Sequence, residues 1–285
     1  MPVLIEFFED YRNLLFSIAY RMLGSVMEAE DAVQEAYLRF MSVDEEDDIV
    51  SYRAYLTTII TRICLDQLKS ARVQREQYFG PWLPEPLETE DEPSVVLQSR
   101  ETITLAFLTL LEKLPPVERA AFLLREVFDY EYADIAQIVE KSEANCRQLV
   151  SRAKKHLVEN RPRLDTPQDV QRRLLARFMA AVNEGDEAPL VQMLSEDVQL
   201  WSDGGGKVTA AIHPLFGPAK VAAFFAGLGR KRPPNTEIQF RDYNGAPGIA
   251  IYIDGKLDTV MNFLIADDQI YDIRAVRNPD KLRHL

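Results

Sequence analysis

Between residues 117 and 157, apolar residues recur at helical spacing in three short stretches separated by polar breaks. The first stretch covers 117–128, and the second is short, with Ile135 and Ile138 on one face. The third follows a break at Glu140 and Lys141, where the Ser142 hydroxyl can cap a new helix by accepting a backbone N–H bond. The pattern predicts a helix-turn-helix.

The third predicted helix has two chemically different sides. Cys146, Leu149 and Val150 fall on one face, whereas the other positions carry Arg147, Gln148, Ser151, Arg152, Lys154 and Lys155. A helix with an apolar face and a basic, amide-bearing face suits the DNA major groove. We therefore predict DNA binding; the alternative is an ordinary three-helix cluster with a solvated charged face.

Residues 5–75 predict three further helices. The first has apolar residues from Phe7 to Met22 and stops at Gly24, and the second ends near an acidic run, 44–48, that is predicted to be a loop. The third starts near Ser51 and runs past Lys69. Its basic residues suit contacts with phosphates, and they are Arg53, Arg62, Lys69 and Arg72. Its tyrosines, Tyr52 and Tyr55, suit either stacking on unpaired bases or packing in the core.

Residues 76–98 have a different composition, rich in proline and acidic residues, which excludes regular structure and predicts an acidic linker. Within it, Trp82 and Leu83 indicate that part of the linker docks on another surface. Because a tryptophan in a charged, Pro-rich stretch needs an apolar seat, we expect this part of the linker to be docked.

Beyond residue 168 the pattern predicts helices at 168–183 and 187–194, a strand at 198–203, a turn at 203–207, a strand at 208–212 and a helix at 217–228. Stretches with strand-like alternation follow, with tight turns at Asn244, Asp254 and Asp267. Helices followed by a mostly antiparallel, curved sheet define an α+β domain.

The net charge of −12 conceals segregated blocks of charge. The charged residues of 28–48 are all acidic except Arg39, whereas those of 52–75 and 141–163 are mainly basic. Because salt screens charges over about 10 Å, DNA responds to a local patch more than to the total charge. The blocks predict DNA as the partner of the basic faces and a protein as the partner of the acidic one.

Several protein classes are not expected. No apolar run approaches the roughly 20 residues of a membrane span, and the first residues lack the pattern of a signal peptide. The two cysteines, Cys64 and Cys146, have no cysteine or histidine at ligand spacing. We therefore expect a cytoplasmic protein with reduced structural thiols, no metal site and no cofactor.

Three segments in order, EAEDAVQEAYLRF (28–40), YLTTIITRICLDQLKSARVQRE (55–76) and the helix-turn-helix, resemble the bacterial extracytoplasmic-function (ECF) sigma factors. The subgroup with a C-terminal SnoaL-like extension is most similar, through WLPEP (82–86), DGGGK (203–207) and NPDKL (278–282). The resemblance covers essentially the whole chain. It implies a multidomain fold, in which two all-α sigma domains precede an α+β SnoaL-like (NTF2-like) cone: region 2 at 1–75, the linker at 76–98, region 4 at 99–163 and the cone at 168–285.

The resemblance also implies an alternative sigma factor, which binds core RNA polymerase and promoter DNA. The residues that would dock on the polymerase clamp are Asp31, Gln34 and Glu35. Those matching the helix that opens and reads the minus-ten element are Arg62, Asp66, Lys69 and Arg72. Those matching the helix that reads the minus-thirty-five element are Arg147, Gln148, Ser151 and Arg152, with Lys154 beside them as a phosphate contact. The acidic linker would thread polymerase channels otherwise occupied by nucleic acid.

We hypothesise that the three short motifs form one regulatory interface that ties the linker to the extension, so that the extension acts in cis. The residues concerned are Trp82, Leu83, Pro84, Asp203, Gly204, Gly205, Gly206, Lys207, Asn278, Pro279 and Asp280. We expect no catalysis and a monomer when the chain is free.

Two other interpretations stay open. A one-component helix-turn-helix regulator with a small-molecule-sensing C-terminal domain would leave the acidic residues 28–40 unexplained. A SnoaL-type isomerase or cyclase would use polar residues of the cone, for which the candidates are Asp203, His213 and Asp254.

Overall fold

The computed structural model describes residues 2–42, 49, 51–89, 104–158 and 166–285. The described residues fall into two compact units. The first unit holds residues 2–77, apart from the gaps, and 107–158; the second holds 78–89, 104–106 and 166–285. The linker residues 78–89 therefore lie in the same unit as the C-terminal residues. The predicted acidic loop at 44–48 is outside the described residues.

The first unit begins with three helices, α1 (Pro2–Leu23), α2 (Val26–Met41) and α3 (Tyr52–Glu76). Gly24 ends α1 with a positive φ of 71°, a conformation that costs glycine little. The Ser25 hydroxyl then caps α2 by accepting the Glu28 N–H at 3.1 Å. The helical faces predicted to be apolar are buried, as shown by Leu15, Ala36 and Ile60.

The helix-turn-helix region follows the predicted pattern closely. It comprises α4 (Leu105–Glu112), α5 (Pro116–Glu126), α6 (Tyr132–Val139) and α7 (Glu143–Val158). Glu140 closes α6 in the left-handed conformation, with φ 54°, and the Ser142 hydroxyl accepts the Asn145 N–H at 3.3 Å. The predicted serine cap is thus confirmed.

The second unit places helices on a six-stranded sheet. The helices are α8 (Gln168–Glu184), α9 (Glu187–Met193) and α10 (Pro218–Arg230). The strands are β1 (Leu194–Asp203), β2 (Leu215–Phe216), β3 (Thr236–Tyr243), β4 (Ala246–Ile253), β5 (Lys256–Ala266) and β6 (Gln269–Val276). A 3₁₀ helix, Pro279–Leu282, follows. These elements confirm the predicted α+β class for this part of the chain.

The strand order is β2-β1-β6-β5-β4-β3, and every pairing is antiparallel except that of β1 with β6. The hairpin turns predicted at Asn244, Asp254 and Asp267 are present, since each residue has a positive φ. Phe178 of α8 and Phe225 of α10 meet edge to face at 5.0 Å in the core.

The predicted strand at 208–212 is wrong. That segment has no strand pairing, and the segment that pairs with this side of β1 is instead the short β2, at Gln199 and Leu200. The predicted turn at 203–207 is present, since the Lys207 N–H donates to the Gly204 carbonyl at 3.0 Å. Among the described helices, none is long and apolar enough to cross a membrane.

Candidate functional site

Helix α7 buries its apolar face and exposes its polar one. Cys146 and Val150 are buried, whereas the side chains predicted to reach base edges are exposed: Arg147, Gln148, Ser151 and Arg152. The amide of Gln148 and the guanidinium of Arg152 can each make the paired hydrogen bonds that distinguish adenine or guanine in the major groove. The helix therefore presents exposed groups of the kind that read bases on an element anchored by its buried face.

Three cations of α7, Arg147, Arg152 and Lys154, have weak partners. Arg152 Nε lies 3.5 Å from Glu118 Oε1, and Lys154 Nζ lies 2.7 Å from Glu126 Oε2. Arg147 pairs with Glu143 and lies over the Tyr132 ring, with its Cζ 4.2 Å from the ring centroid. The cations are half or more exposed, so screening makes these ion pairs weak, and phosphates can replace the carboxylates.

Helix α3 carries the residues predicted to act on the minus-ten element. Asp66 and Lys69 are exposed and form an ion pair at 2.7 Å, and the Lys69 ammonium lowers the pKa of Asp66 by hydrogen bonding. Arg72 is in the helix, but its side chain lies outside the described residues.

Arg62, on the same helix, is already engaged within the first unit. Its Nη2 donates to the Gln137 carbonyl at 3.2 Å, its Nε donates to the Ile138 carbonyl at 3.4 Å, and it pairs with Glu140 at 3.1 Å. These acceptors are at the C-terminus of α6, where unpaired carbonyls attract a cation. A residue predicted to bind DNA thus caps a helix of the helix-turn-helix.

A second contact between α3 and the helix-turn-helix was not expected from sequence. The Thr57 hydroxyl lies 2.7 Å from the Tyr130 hydroxyl, and Thr57 is fully buried. The Arg53 guanidinium lies over the Tyr130 ring, 5.1 Å from its centroid. No local signal reveals this contact, since residues 57 and 130 are far apart along the chain.

The two tyrosines at the start of α3 pack against aromatic residues. Tyr52 stacks on Phe7 with ring centroids 4.6 Å apart, and it meets Phe40 edge to face at 6.0 Å. Tyr55 also lies beside Phe40, at 6.4 Å. Of the two roles left open for these residues, core packing is the one the geometry supports.

Helix α2 presents an acidic, partly apolar surface. Asp31 and Gln34 are exposed, and Glu35 is half-buried and pairs with Arg39 one turn later. Leu38 lies on the exposed side of the same helix with 67% of its surface accessible. An exposed leucine beside carboxylates is suited to a protein partner with basic and apolar groups.

In the second unit, Asp203 at the end of β1 is fully buried and binds the linker. Its Oδ1 accepts the Tyr78 hydroxyl at 2.6 Å, and its Oδ2 accepts the Leu83 backbone N–H at 2.9 Å. Lys281 Nζ lies 2.8 Å from the same Oδ2 and also donates to the Leu83 carbonyl. We call this group, Tyr78, Leu83, Asp203, Asn278 and Lys281, the linker clamp.

Asn278 and the glycines complete the clamp. Asn278 Nδ2 donates to the Tyr78 hydroxyl at 2.8 Å, and its backbone N–H donates to the Asp203 carbonyl at 2.9 Å. Gly205 donates its N–H to Asp203 Oδ1 at 3.0 Å, and a Cβ on Gly205 would come within 2.3 Å of the Asn278 side chain. Burial and the Asp203 carboxylate together raise the pKa of Tyr78, which keeps its hydroxyl protonated as a donor.

The apolar seat of the linker belongs to Leu83 and not to Trp82. Leu83 is fully buried and packs with Leu105, Tyr243, Val260 and Leu282. Trp82 is half-buried, and Lys281 Nζ lies over its ring, 4.0 Å from a centroid. Leu83 thus fills the apolar seat, whereas Trp82 makes a cation–π contact with the ammonium that neutralises Asp203.

The linker continues along β3 as far as Thr89. Leu87 and Asn244 exchange hydrogen bonds at 3.1 and 2.8 Å, and Arg241 pairs with Glu88 at 2.6 Å. The Thr89 N–H donates to the Asp242 carbonyl at 2.8 Å. The rest of the predicted acidic linker, including Glu90, Asp91 and Glu92, is outside the described residues.

The structure brings together the three motifs that were expected to form one interface. Pro84 is buried, Lys207 pairs with Asp280, Gly206 lies against Phe79, and Gly204 and Pro279 flank the contacts made by Asp203 and Asn278. Sequence reasoning missed Tyr78 and Lys281, which make the polar core of the clamp. One signal in the sequence could have identified Lys281, because it is the only cation in the NPDKL motif.

The polar candidates for catalysis are not assembled into a site. Asp203 is held in the clamp, His213 is exposed, and Asp254 accepts a hydrogen bond from Asn235 at 2.7 Å. Both cysteines are free and buried, and burial raises the pKa of Cys64. In the described part of the chain, no cluster of three or more Cys, His, Asp or Glu side chains could hold a metal ion.

Known proteins are similar to this chain over nearly its whole length. The Sigma-70 region 2 model matches residues 7–73, and the Sigma-70 region 4 model matches residues 104–157. The ECF RNA polymerase sigma factor SigJ of Mycobacterium tuberculosis is 35% identical over 96% of this chain and 91% of that protein. The probable ECF RNA polymerase sigma factor SigI of the same species is 29% identical over 95% and 92%.

Among solved structures, the crystal structure of Mycobacterium tuberculosis SigJ superposes with a TM-score of 0.78 at 32% sequence identity, and it covers 98% of both chains. The likeness therefore includes the α+β domain as well as the helical segments.

Proposed function

The chain belongs to the ECF RNA polymerase sigma factors, and from that premise we propose that it directs core RNA polymerase to promoters under the control of its own C-terminal domain. The proposal assigns residues 1–75 to sigma region 2, 76–98 to the linker, 99–163 to sigma region 4 and 168–285 to a SnoaL-like regulatory domain. The observation that carries it is the presence, in one chain, of a helix with exposed arginine, lysine and glutamine side chains and a separate acidic helix with an exposed leucine.

In this proposal, α7 enters the major groove of the minus-thirty-five element. Gln148 and Arg152 contact base edges, with Arg147 and Ser151 beside them, and Lys154 contacts phosphate. The exposure of all five side chains supports the assignment. Their present carboxylate partners, such as Glu118 and Glu126, would be exchanged for DNA phosphates.

Helix α3 acts on the minus-ten element through Arg62, Asp66, Lys69 and Arg72. The ion pair of Asp66 with Lys69 is exposed and accessible to DNA. Arg62 must first leave the carbonyls of Gln137 and Ile138, so promoter opening requires α3 to separate from α6. The free chain therefore rests in a form that keeps one DNA-binding residue occupied.

Polymerase binding falls to α2, through Asp31, Gln34 and Glu35. Acidic side chains on a DNA-binding protein would repel the phosphate backbone, so they are better explained by a protein partner. Leu38, on the exposed side of the same helix, would supply the apolar part of that interface.

The C-terminal domain regulates these activities in cis by holding the linker. Residues 78–89 cannot thread a polymerase channel while Leu83 is buried and its N–H and carbonyl are bonded in the clamp. The domain performs no bond chemistry in this proposal, and the chain works in the cytoplasm, where its polymerase and promoters are.

Run-off transcription with core polymerase tests the proposal. We expect Asp31→Arg with Glu35→Arg to abolish both copurification with core polymerase and the promoter-specific transcript, because the acidic surface becomes basic. The matched control is Glu196→Arg with Asp197→Arg, two exposed acids of β1 that undergo the same change in charge. Full activity of the α2 variant, or equal loss in the control, would contradict the assignment.

A further inference from the structure

A cavity of about 400 Å³ lies in the second unit, between the sheet and the helices α8 and α10. Its walls are mostly apolar and include Met179, Val182, Phe224, Leu228, Ile238 and Ile251. This volume falls in the range of sites that take a small organic molecule. The sigma-factor function proposed above makes no use of the cavity.

The charged groups inside the cavity satisfy one another. Arg277 Nη2 lies 3.0 and 2.9 Å from the two carboxylate oxygens of Asp258, and the Thr259 hydroxyl is 2.6 Å from the second of these. Because these charges already neutralise each other, an ionised ligand group placed beside the pair would lose its hydration without gaining a free partner. The part of a ligand that lies within the walls is therefore uncharged.

Two cations lie on the lining where it meets solvent. Lys231 and Arg232 directly follow α10, and both are exposed. Arg232 donates to Asn183 Oδ1 at 2.5 Å and to the Thr236 carbonyl at 3.1 Å, which fixes its position. Within the described part of the chain, Lys231 makes no ion pair. An acidic group at the mouth would meet both cations without displacing any carboxylate.

We infer that this cavity binds an amphipathic organic anion, with an apolar body between α8, α10 and the sheet and an acidic group at Lys231 and Arg232. The positions of the polar groups indicate that the cavity binds this molecule without catalysing a reaction on it. Asp203, His213 and Asp254 are not part of the lining, and the one carboxylate that is, Asp258, is held by Arg277. The site goes beyond the proposed function, since sigma activity does not require it.

Two dyes that differ by one acidic group test the inference on the full chain. 1-Anilinonaphthalene-8-sulfonate has an aromatic body and a sulfonate, and N-phenyl-1-naphthylamine is the same body without the sulfonate. We expect saturable fluorescence enhancement by the sulfonate dye at one site per chain. Lys231→Glu should weaken that dye at least tenfold and change the affinity of the neutral dye less than twofold. Equal effects on the two dyes would overturn the placement of the acidic group.

Filling the cavity tests its location. Ile238→Trp on β3 should weaken both dyes at least tenfold, whereas Glu237→Trp, whose side chain is exposed and does not line the cavity, should change either affinity less than twofold. Leu228→Trp is the second filling variant, because Leu228 is half-exposed and tolerates a larger side chain should Ile238→Trp fail to fold.

Unchanged dye binding in the folded filling variants, or no saturable binding by wild type, would overturn the inference. Run-off transcription by the same variants separates this result from the sigma function. We expect every folded filling variant to support a promoter-specific transcript.

Discussion

The Asp203–Lys281 pair shows how single residues hold the linker. Both side chains are buried, so each has lost its hydration, and the loss is offset only because each also has other partners. Asp203 accepts from Tyr78, Leu83 and Gly205, and Lys281 donates to the Leu83 carbonyl. Removing one member therefore leaves the other charged and buried.

We predict that Lys281→Met lowers the free energy of unfolding of the second unit by about 3–5 kcal/mol, the range found when one partner of a buried pair is removed. Equilibrium urea unfolding measures the change. Lys207→Met is the matched control, because its ion pair with Asp280 is exposed and should contribute at most about 1 kcal/mol. Similar losses in the two variants would contradict the assigned role of burial.

A second prediction at this scale concerns the hydroxyl pair that joins α3 to the helix-turn-helix. Thr57→Val keeps the shape of the side chain but leaves the buried Tyr130 hydroxyl without that partner, so we expect a loss of about 1–3 kcal/mol in unfolding free energy. Thr58→Val is the control, since the Thr58 hydroxyl bonds only to Ala54 of its own helix and the change should stay within about 0.5 kcal/mol. Denaturation midpoints that coincide for the two variants would refute this.

Residue roles could be predicted from sequence where the cause is local. Ser25 and Ser142 cap helices that begin next to them, and their positions follow from the pattern alone. Tyr78 and Lys281 could not be found in this way, because their partner Asp203 is 125 and 78 residues away along the chain. The preference for Leu83 over Trp82 depends on a pocket that forms only after the sheet has folded.

At the scale of elements, α7 combines two kinds of cation with different consequences for binding. We expect Arg152→Ala to cost about 1–3 kcal/mol in promoter binding and to relax discrimination at one base pair, because a base-edge contact is lost. We expect Lys154→Ala to weaken binding almost equally for all sequences and to reduce the slope of log affinity against log salt by about 1.

Binding titrations over a series of salt concentrations, with substituted minus-thirty-five sequences, distinguish these outcomes. Arg173→Ala is the control, because Arg173 is an exposed cation of α8 with a similar ion pair to Asp169. If both α7 variants bind promoter DNA as wild type does, the recognition helix has been placed wrongly.

Elements were predictable where the hydrophobic period is regular and long. The helices of the first unit and the four C-terminal strands have long, regular apolar patterns, so pattern and structure agree. The segment 208–212 alternates like a strand yet pairs with none, and the short β2 pairs with that side of β1 instead. The period of apolar residues indicates that a segment has a face that can be buried. It does not indicate whether another strand will pair with that segment.

For the whole molecule, the linker clamp predicts that the C-terminal domain restrains transcription. We expect Lys281→Met to raise the yield of promoter-specific transcript at least threefold, since the linker is released from the domain. Lys207→Met should leave the yield within twofold of wild type. Asp203→Asn is the milder variant if Lys281→Met does not fold, and circular dichroism checks each. A lower yield from a folded clamp variant would show that the clamp supports transcription.

The organisation of the whole chain was harder to predict from the sequence than the individual elements were. Charge segregation indicated two kinds of partner, and the order of motifs indicated the family. Composition marked residues 76–98 as a separate linker, yet 78–89 lie in the same compact unit as the C-terminal strands. Burial of Leu83 and the backbone bonds of Leu87 and Thr89 decide this, and neither is visible as a periodic pattern.

Because residues 78–89 are covalently attached to the surface that holds them, the held fraction of molecules does not change with protein concentration. A separate inhibitor would dissociate on dilution and could be outnumbered when expression of its target rises. In the arrangement proposed above, every new copy of the sigma factor carries its own restraint, so a higher dosage would not overcome it. Only an event that favours the released form over the held form, such as binding of a ligand or of polymerase, can change the balance.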